Sequence, residues 1–146
     1  MTAVTAARTY TETAAYIGHT LACPMLGTTG VVYGGALVII DANGYATDAT
    51  DAAAVNVAGV ARYSAVNEGA DGAVACEVVR GSIIGFAFDS GVDATLIGQL
   101  VYLVDNVTVG ALADTTNGIA VGQLISIDGL VAYVAVNGGI TTDPTP

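Results

Sequence analysis

The sequence predicts an all-β protein: a small β-barrel, β-tulip or sandwich of short antiparallel strands, preceded by an extended N-terminal arm. Three observations carry this. Short apolar runs rich in Val, Ile and Leu recur at near-regular spacing from Val31 onward. Gly, Asn and Asp turn residues close them, as in "DANG" and "IDGL". No apolar periodicity of the helical kind outlasts a turn, which leaves a sandwich or barrel.

Residues 1–30 read as the arm. Thr and Ala dominate it, it holds Pro24, and Tyr10, Tyr16, Ile17 and Leu21 are the only sizeable apolar side chains before Met25. That is too little apolar surface for a core of its own. The β-domain spans 31–138. It opens with "VVYGGALVII", whose last five residues form a strand that ends at "DANG" and restarts at "YAT". There the Asn43-Gly44 pair supplies the positive φ values of a hairpin turn. Asp48–Ala54 is a loop, followed by a strand "VNVAGVARYS" with Gly59 as an internal bulge. An acidic loop, Ala65–Ala73, leads into the long run Val74–Phe88, which Gly81 and Gly85 bend into two strand halves. "DSGVDATLIGQ" predicts a turn plus a short helical step, "LVYLVD" a buried strand, and "VTVGAL" its return after Asn106. "AVGQLISIDGLVAYVAV" closes the domain as a hairpin with a type I′ turn at Asp128-Gly129. Residues 139–146 hold two prolines and form a flexible tail outside any sheet.

Composition bounds the function. Hydrophobic residues make up 53% of the 146 positions and charged ones 11%, against roughly 25% charged in an average soluble domain. Mean hydropathy is positive, yet the most apolar stretch, Val31–Ile40, is broken by glycine and far short of the ~20 residues that span a bilayer. No membrane partner is expected. Small apolar residues with so few charges suit a thin β-domain whose surface is partly covered by other subunits. The net charge is −10, with three Arg and no Lys. A phosphate backbone is gripped by clustered cations, so direct nucleic-acid binding is excluded. The start of the chain shows no apolar segment behind a basic one, and no secretory signal is expected.

Chemistry is hard to find. The single His, His19, lies in the arm four positions before Cys23, without the rigid scaffold a nucleophile and its base require. The closest carboxylates are Asp48/Asp51 and Asp89/Asp93. Glycoside hydrolysis on such a pair also wants aromatic platforms, and Trp is absent. Neither pair fits an EF-hand loop, and turn acids commonly cap their own backbone. No glycine-rich loop opens a helix and no Walker-type lysine exists. Cys23 and Cys76, 53 positions apart, have no metal-ligand spacing and read as two small buried residues; a disulfide between them is left open and not predicted. The expectation is a protein that is not an enzyme and needs no cofactor or metal.

Five elements occur in a telling order: Gly59-Val60-Ala61, the acidic Gly-Ala loop Glu68–Ala73, Arg80-Gly81, "VYLVDNVT" (Val101–Thr108) and "IAVGQL". Through them the stretch from Gly35 to Gly138 resembles the small capsid decoration, or head cement, proteins of tailed bacteriophages. The resemblance implies a β-barrel or β-tulip domain on the outer surface of the capsid, made in the host cytoplasm. It further implies binding to the major capsid protein, a homotrimer at three-fold or quasi-three-fold positions, and stabilisation of the expanded head. The front departs from that pattern, being longer than the minimal domain. The arm is therefore the expected gripping segment, with Arg8, Tyr10, Tyr16, Ile17 and Leu21 as its capsid or subunit contacts, since tyrosines bury much area at modest entropic cost. The alternative is an all-β adhesin or carbohydrate-binding module displayed on a particle or cell surface; the lack of Trp counts against it.

Overall fold

In the computed structural model, residues 19–28 and 30–136 are described, and they are almost entirely β. Twelve strands follow one another: β1 (His19–Pro24), β2 (Gly30–Val32), β3 (Leu37–Ile40), β4 (Ala46–Asp48), β5 (Asn56–Ala61), β6 (Ala65–Asn67), β7 (Ala75–Arg80), β8 (Ile83–Phe88), β9 (Leu100–Asp105), β10 (Thr108–Gly110), β11 (Ala120–Asp128) and β12 (Val131–Val136). Two single 3-10 turns, Ala94–Leu96 and Leu112–Asp114, interrupt them. The first is the short helical step expected from "DSGVDATLIGQ", and Asp93 caps it by accepting from the Thr95 N–H at 2.9 Å.

The strands form two layers and a ribbon. β1-β7-β5-β3-β4 make an antiparallel sheet, β9-β10-β8-β12-β11 close into a barrel, and β2-β6 form a two-stranded ribbon. All barrel pairs are antiparallel except β8–β10, which is parallel. β7 belongs to the sheet and β8 to the barrel. The joint between them is Gly81 at φ +81°, whose N–H donates to the Val136 carbonyl at 2.9 Å. Gly85 does not bend the chain as expected. It lies inside β8, with the Tyr133 ring packed over it and no room for a side chain.

Both faces of the sheet are covered. Leu37, Ile39, Val57 and Val60 join the barrel interior (Val101, Leu103, Val109, Val121, Leu124, Val134) in one core. Val38, Ala58, Ala61, Cys76 and Val78 face the other way into a second core with Cys23, Met25 and Val32. This is why "LVII" is apolar at every position: a strand buried on both faces has no polar phase. Strict alternation would put residues 57, 59 and 61 on one side. The bulge between the Val38↔Gly59 and Ile39↔Val57 pairs inserts one residue, so Val57 and Val60 share a face and Ala58 and Ala61 the other. Gly59 takes φ +152°, and a Cβ there would stand 2.5 Å from the Val79 carbonyl oxygen. The bulge expected at Gly59 is present, and only glycine fits it.

β11 uses the same device twice. Register shifts occur against β9, between Val101 and Tyr102, and against β12, between Leu124 and Ser126. As a result Val121, Leu124 and Ile127, spaced by three, all pack into the barrel core. The closing hairpin exists, but its turn differs from the expected type I′. Asp128 pairs with Val131, leaving a two-residue loop, Gly129-Leu130. Gly129 has φ +63° and Leu130 is not positive, the type II′ pattern of φ values. At "DANG" only Gly44 turns positive, at +91°. The Asp41 carboxylate accepts from the N–H groups of Asn43 and Tyr45, holding that turn from its first residue.

The largest correction concerns the arm. Residues 19–28, assigned to the arm from the sequence, belong to the folded domain. β1 pairs with β7 over six residues, and Met25 is fully buried in the second core. Residues 25–28 are then clasped by the acidic loop. Asn67, the single buried polar residue among those described, donates from Nδ2 to the carbonyls of Met25 (3.1 Å) and Ala70 (2.9 Å) and accepts from the Gly69 N–H (3.0 Å). Asp71 accepts from the Gly27 N–H at 2.8 Å. The segment lacked a core of its own because it completes someone else's: the sheet's.

Candidate interaction surfaces

Of the groups that looked closest to chemistry, Cys23, Asp48, Asp51 and Asp93 are engaged by the fold. His19 and Cys23 lie on one extended strand, which sets their backbones about 13 Å apart at ~3.3 Å per residue. That spacing does not make a nucleophile and its base. Burial also pushes the Cys23 thiol up, with Arg80 acting the other way. Asp48 accepts from Asn106 Nδ2 at 2.9 Å, joining the sheet to the β9–β10 hairpin. Asp51 accepts from the N–H groups of Thr116 (2.7 Å) and Asn117 (3.0 Å) and from the Asn117 amide. The Thr116 bond chiefly holds its carboxyl below the ordinary value. Asp93 is lowered by the Thr95 hydroxyl and N–H that it caps. Among the described residues, no three His, Cys, Asp or Glu side chains gather where a metal could be held.

Surfaces are more informative. Burial of Phe86, Ala132, Val134 and Val136 fixes the inward phase of β8 and β12. The outward phase is Ile83, Gly85, Ala87, Val131, Tyr133 and Ala135. None is charged, Ile83 is 58% exposed, and Leu130 at the adjoining hairpin tip is 87% exposed. In a chain of net charge −10, this is a continuous uncharged apolar strip across two neighbouring strands. The sequence carried a signal for it: "VAYVAV" is apolar in both phases. One phase is covered by the barrel core, and the other faces out.

A second surface is the edge of β1 that no described strand pairs. The Met25 N–H donates to the opposite Val74 carbonyl at 2.9 Å, so odd-numbered residues of β1 bond β7 and even-numbered ones turn their backbone groups to that edge. Pro24 falls in that outward phase and has no N–H to offer, a common guard on sheet edges. Leu21 is half-exposed (42%) opposite buried Val78. Of the five contact residues expected from the sequence, Leu21 alone can be placed, and it stands on this edge strand. Arg8, Tyr10, Tyr16 and Ile17 lie outside the described residues, as does the tail 139–146.

A cleft of about 620 Å³ lies where the loop after β4 meets the barrel, walled by Ala53, Val55, Leu100 and Val121, with Arg80 and Asn117 at its polar side. Arg62, by contrast, is engaged, reaching Glu77 at 3.5 Å and stacking over the Tyr63 ring at 5.2 Å. In comparisons with known proteins, no family model matches the chain, and neither does any curated protein or solved structure.

Proposed function

We propose that this protein is a structural component of a bacteriophage virion that binds the outer surface of the capsid and stabilises the expanded head. The observation that carries the reading is the uncharged outer strip of β8 and β12 on an acidic chain that spends its carboxylates elsewhere. An exposed apolar strip of this kind marks a surface for contact with another protein. A symmetric homotrimer covers one such strip on every subunit, and the major capsid protein takes the remaining contacts through the β1 edge and the chain leading into it. Each contact is weak, and the lattice multiplies it through effective concentration. Preferential binding to the expanded shell then shifts the head toward that state. The motifs behind the resemblance support the reading by falling on structural joints. Gly59-Val60-Ala61 forms the bulge of β5, Arg80-Gly81 the crossover from sheet to barrel, and "VYLVDNVT" the β9–β10 hairpin.

The test is co-sedimentation with expanded empty phage heads, using wild type, a deletion of residues 2–18, and Ile83→Glu. The deletion stops at 18 because residues 19–28 belong to the fold. Wild type is expected to pellet with heads. The deletion is expected to melt like wild type but lose most occupancy, and Ile83→Glu to remain folded but elute as a smaller species. Wild-type protein that ignores heads and binds a glycan panel would favour the carbohydrate-binding alternative and overturn the proposal.

A further inference from the structure

Cys23 and Cys76 are 53 positions apart in sequence, yet they are direct cross-strand partners in the β1–β7 ladder. Both belong to the second core, so their side chains project to the same side of the sheet. Both are free thiols. The phase set by the Met25–Val74 bond makes 23/76 a hydrogen-bonded pair, in which Cα atoms stand about 5.5 Å apart. Disulfides span roughly 4.4–6.8 Å between Cα atoms, so this separation is within reach. The Cβ atoms of such a pair are somewhat wide for the bond, which must draw the strands together. β1 can comply because it is paired on one side only among the described residues.

We propose that Cys23 and Cys76 form a redox-sensitive pair that closes into an intramolecular disulfide when the protein meets a small-molecule disulfide oxidant, fastening edge strand β1 and the chain before it to β7. The inference does not depend on the proposed function. Burial chiefly, and the neighbouring Cys23 sulfur next, push the Cys76 thiol up to about 11, so in the closed fold both groups are protonated and inert. Reaction begins when β1 frays. Cys23, as its thiolate, attacks one sulfur of oxidised glutathione, forming a mixed disulfide and releasing glutathione thiolate, which takes up a proton. Cys76 then gives up its proton and attacks the Cys23 sulfur; the bond to glutathione breaks and the second glutathione leaves, protonated. Two protein thiols are oxidised by two electrons and one glutathione disulfide is reduced to two thiols. Glutathione thiol runs the same two exchanges backwards and reopens the bond, which is the character of a switch rather than a permanent staple.

The sequence supplies a clean assay. Trypsin cuts after Arg8, Arg62 and Arg80, so Cys23 leaves in peptide 9–62 and Cys76 in peptide 63–80. Folded full-length protein is equilibrated with a glutathione redox buffer, quenched with an alkylating agent and digested without reductant. The expected product is a linked 9–62/63–80 species from a monomeric chain whose mass has fallen by two hydrogens, split by dithiothreitol and absent in Cys76→Ala. At the same redox poise the folded protein should be oxidised about tenfold or more above the urea-unfolded chain, because the ladder holds the thiols together. Full alkylation of both cysteines, a persistent glutathione adduct, a bond between two chains, or equal oxidation folded and unfolded would each overturn the proposal.

Discussion

Replacing Asn67 by Ala should destabilise the fold by about 2–3 kcal/mol, at roughly 1 kcal/mol net per buried hydrogen bond lost. The side chain is fully buried and makes three such bonds, to the Met25 and Ala70 carbonyls and from the Gly69 N–H. The three are not equal. The Met25 carbonyl also accepts from the Gly72 N–H, and the Ala70 carbonyl from the Ala73 N–H, so both keep a partner when the amide goes. The Gly69 N–H has no second acceptor among the described bonds, but Gly69 is exposed and water can replace the amide there. The buried bond to the Met25 carbonyl therefore carries most of the cost. Asn67→Asp separates these contributions. It keeps the acceptor for Gly69 but aims a carboxylate at two carbonyl oxygens, and it should cost more than Ala at neutral pH, recovering partly as the pH falls and the group protonates. Urea titration followed by circular dichroism measures both. An Asn67→Ala variant within about 0.5 kcal/mol of wild type, the ordinary range for an inconsequential surface change, would refute the claim that this amide clasps the 25–28 segment into the domain.

Gly59→Ala should cost about 2 kcal/mol or more, since its methyl meets the Val79 carbonyl at 2.5 Å in a backbone conformation with φ +152°; equal stability by urea titration would remove the bulge argument. Gly129→Val faces open space, so only the positive φ opposes it, at about 1–2 kcal/mol, with Gly129→Asn milder; a Val variant as stable as Asn would contradict the turn assignment. For Asp51 the folded pKa lies below the unfolded one, so its bonds contribute fully above the ordinary carboxylate value of 3.8 and are lost as the pH falls through the lower folded value. Asp51→Ala should therefore trail wild type by a constant margin near neutrality, and the gap should close in acid, below about pH 4. A gap that persists undiminished there would show that the carboxylate's charge is not what the loop uses.

The legible part of the fold was whatever local chemistry controls. Turn residues marked the ends of most strands, Gly59 marked its bulge, and "DSGVDATLIGQ" marked its capped turn, because each depends on a few adjacent residues. What could not be read was decided by partners distant in sequence. β1 alternates weakly and looks like an arm, because only its pairing with β7, more than fifty residues away, makes it a strand. Asn67 and Asp71 fall in a stretch that reads only as an acidic loop, and their role depends on residues 25–28, some forty positions earlier. The i, i+3, i+6 spacing of Val121, Leu124 and Ile127 is a helical signature produced by two bulges, and no single-strand template contains it. Of the expected contact residues, Leu21 is exposed on the outermost described strand of its sheet, while the strip around Ile83 and Tyr133 lies in two segments read only as strands.

That strip also bears on why the chain tolerates so little charge. A sheet buried on both faces consumes the apolar phases of β3 and β5 internally, so these strands need no partner outside the molecule. β8 and β12 differ: their inner phase fills the barrel, and their outer phase is equally apolar. At Ile83, 58% exposed, a polar side chain would cost the barrel little, whereas Val131 and Ala135 are half-buried. The apolar character of Ile83 therefore has little intramolecular reason. If contact with another protein supplies it, converting Ile83 to Glu should leave the urea midpoint within about 0.5 kcal/mol of wild type while abolishing assembly. If Ile83 instead supports the fold, stability and assembly should fall together. Measuring both on the same preparation distinguishes a surface kept for binding from one kept for packing.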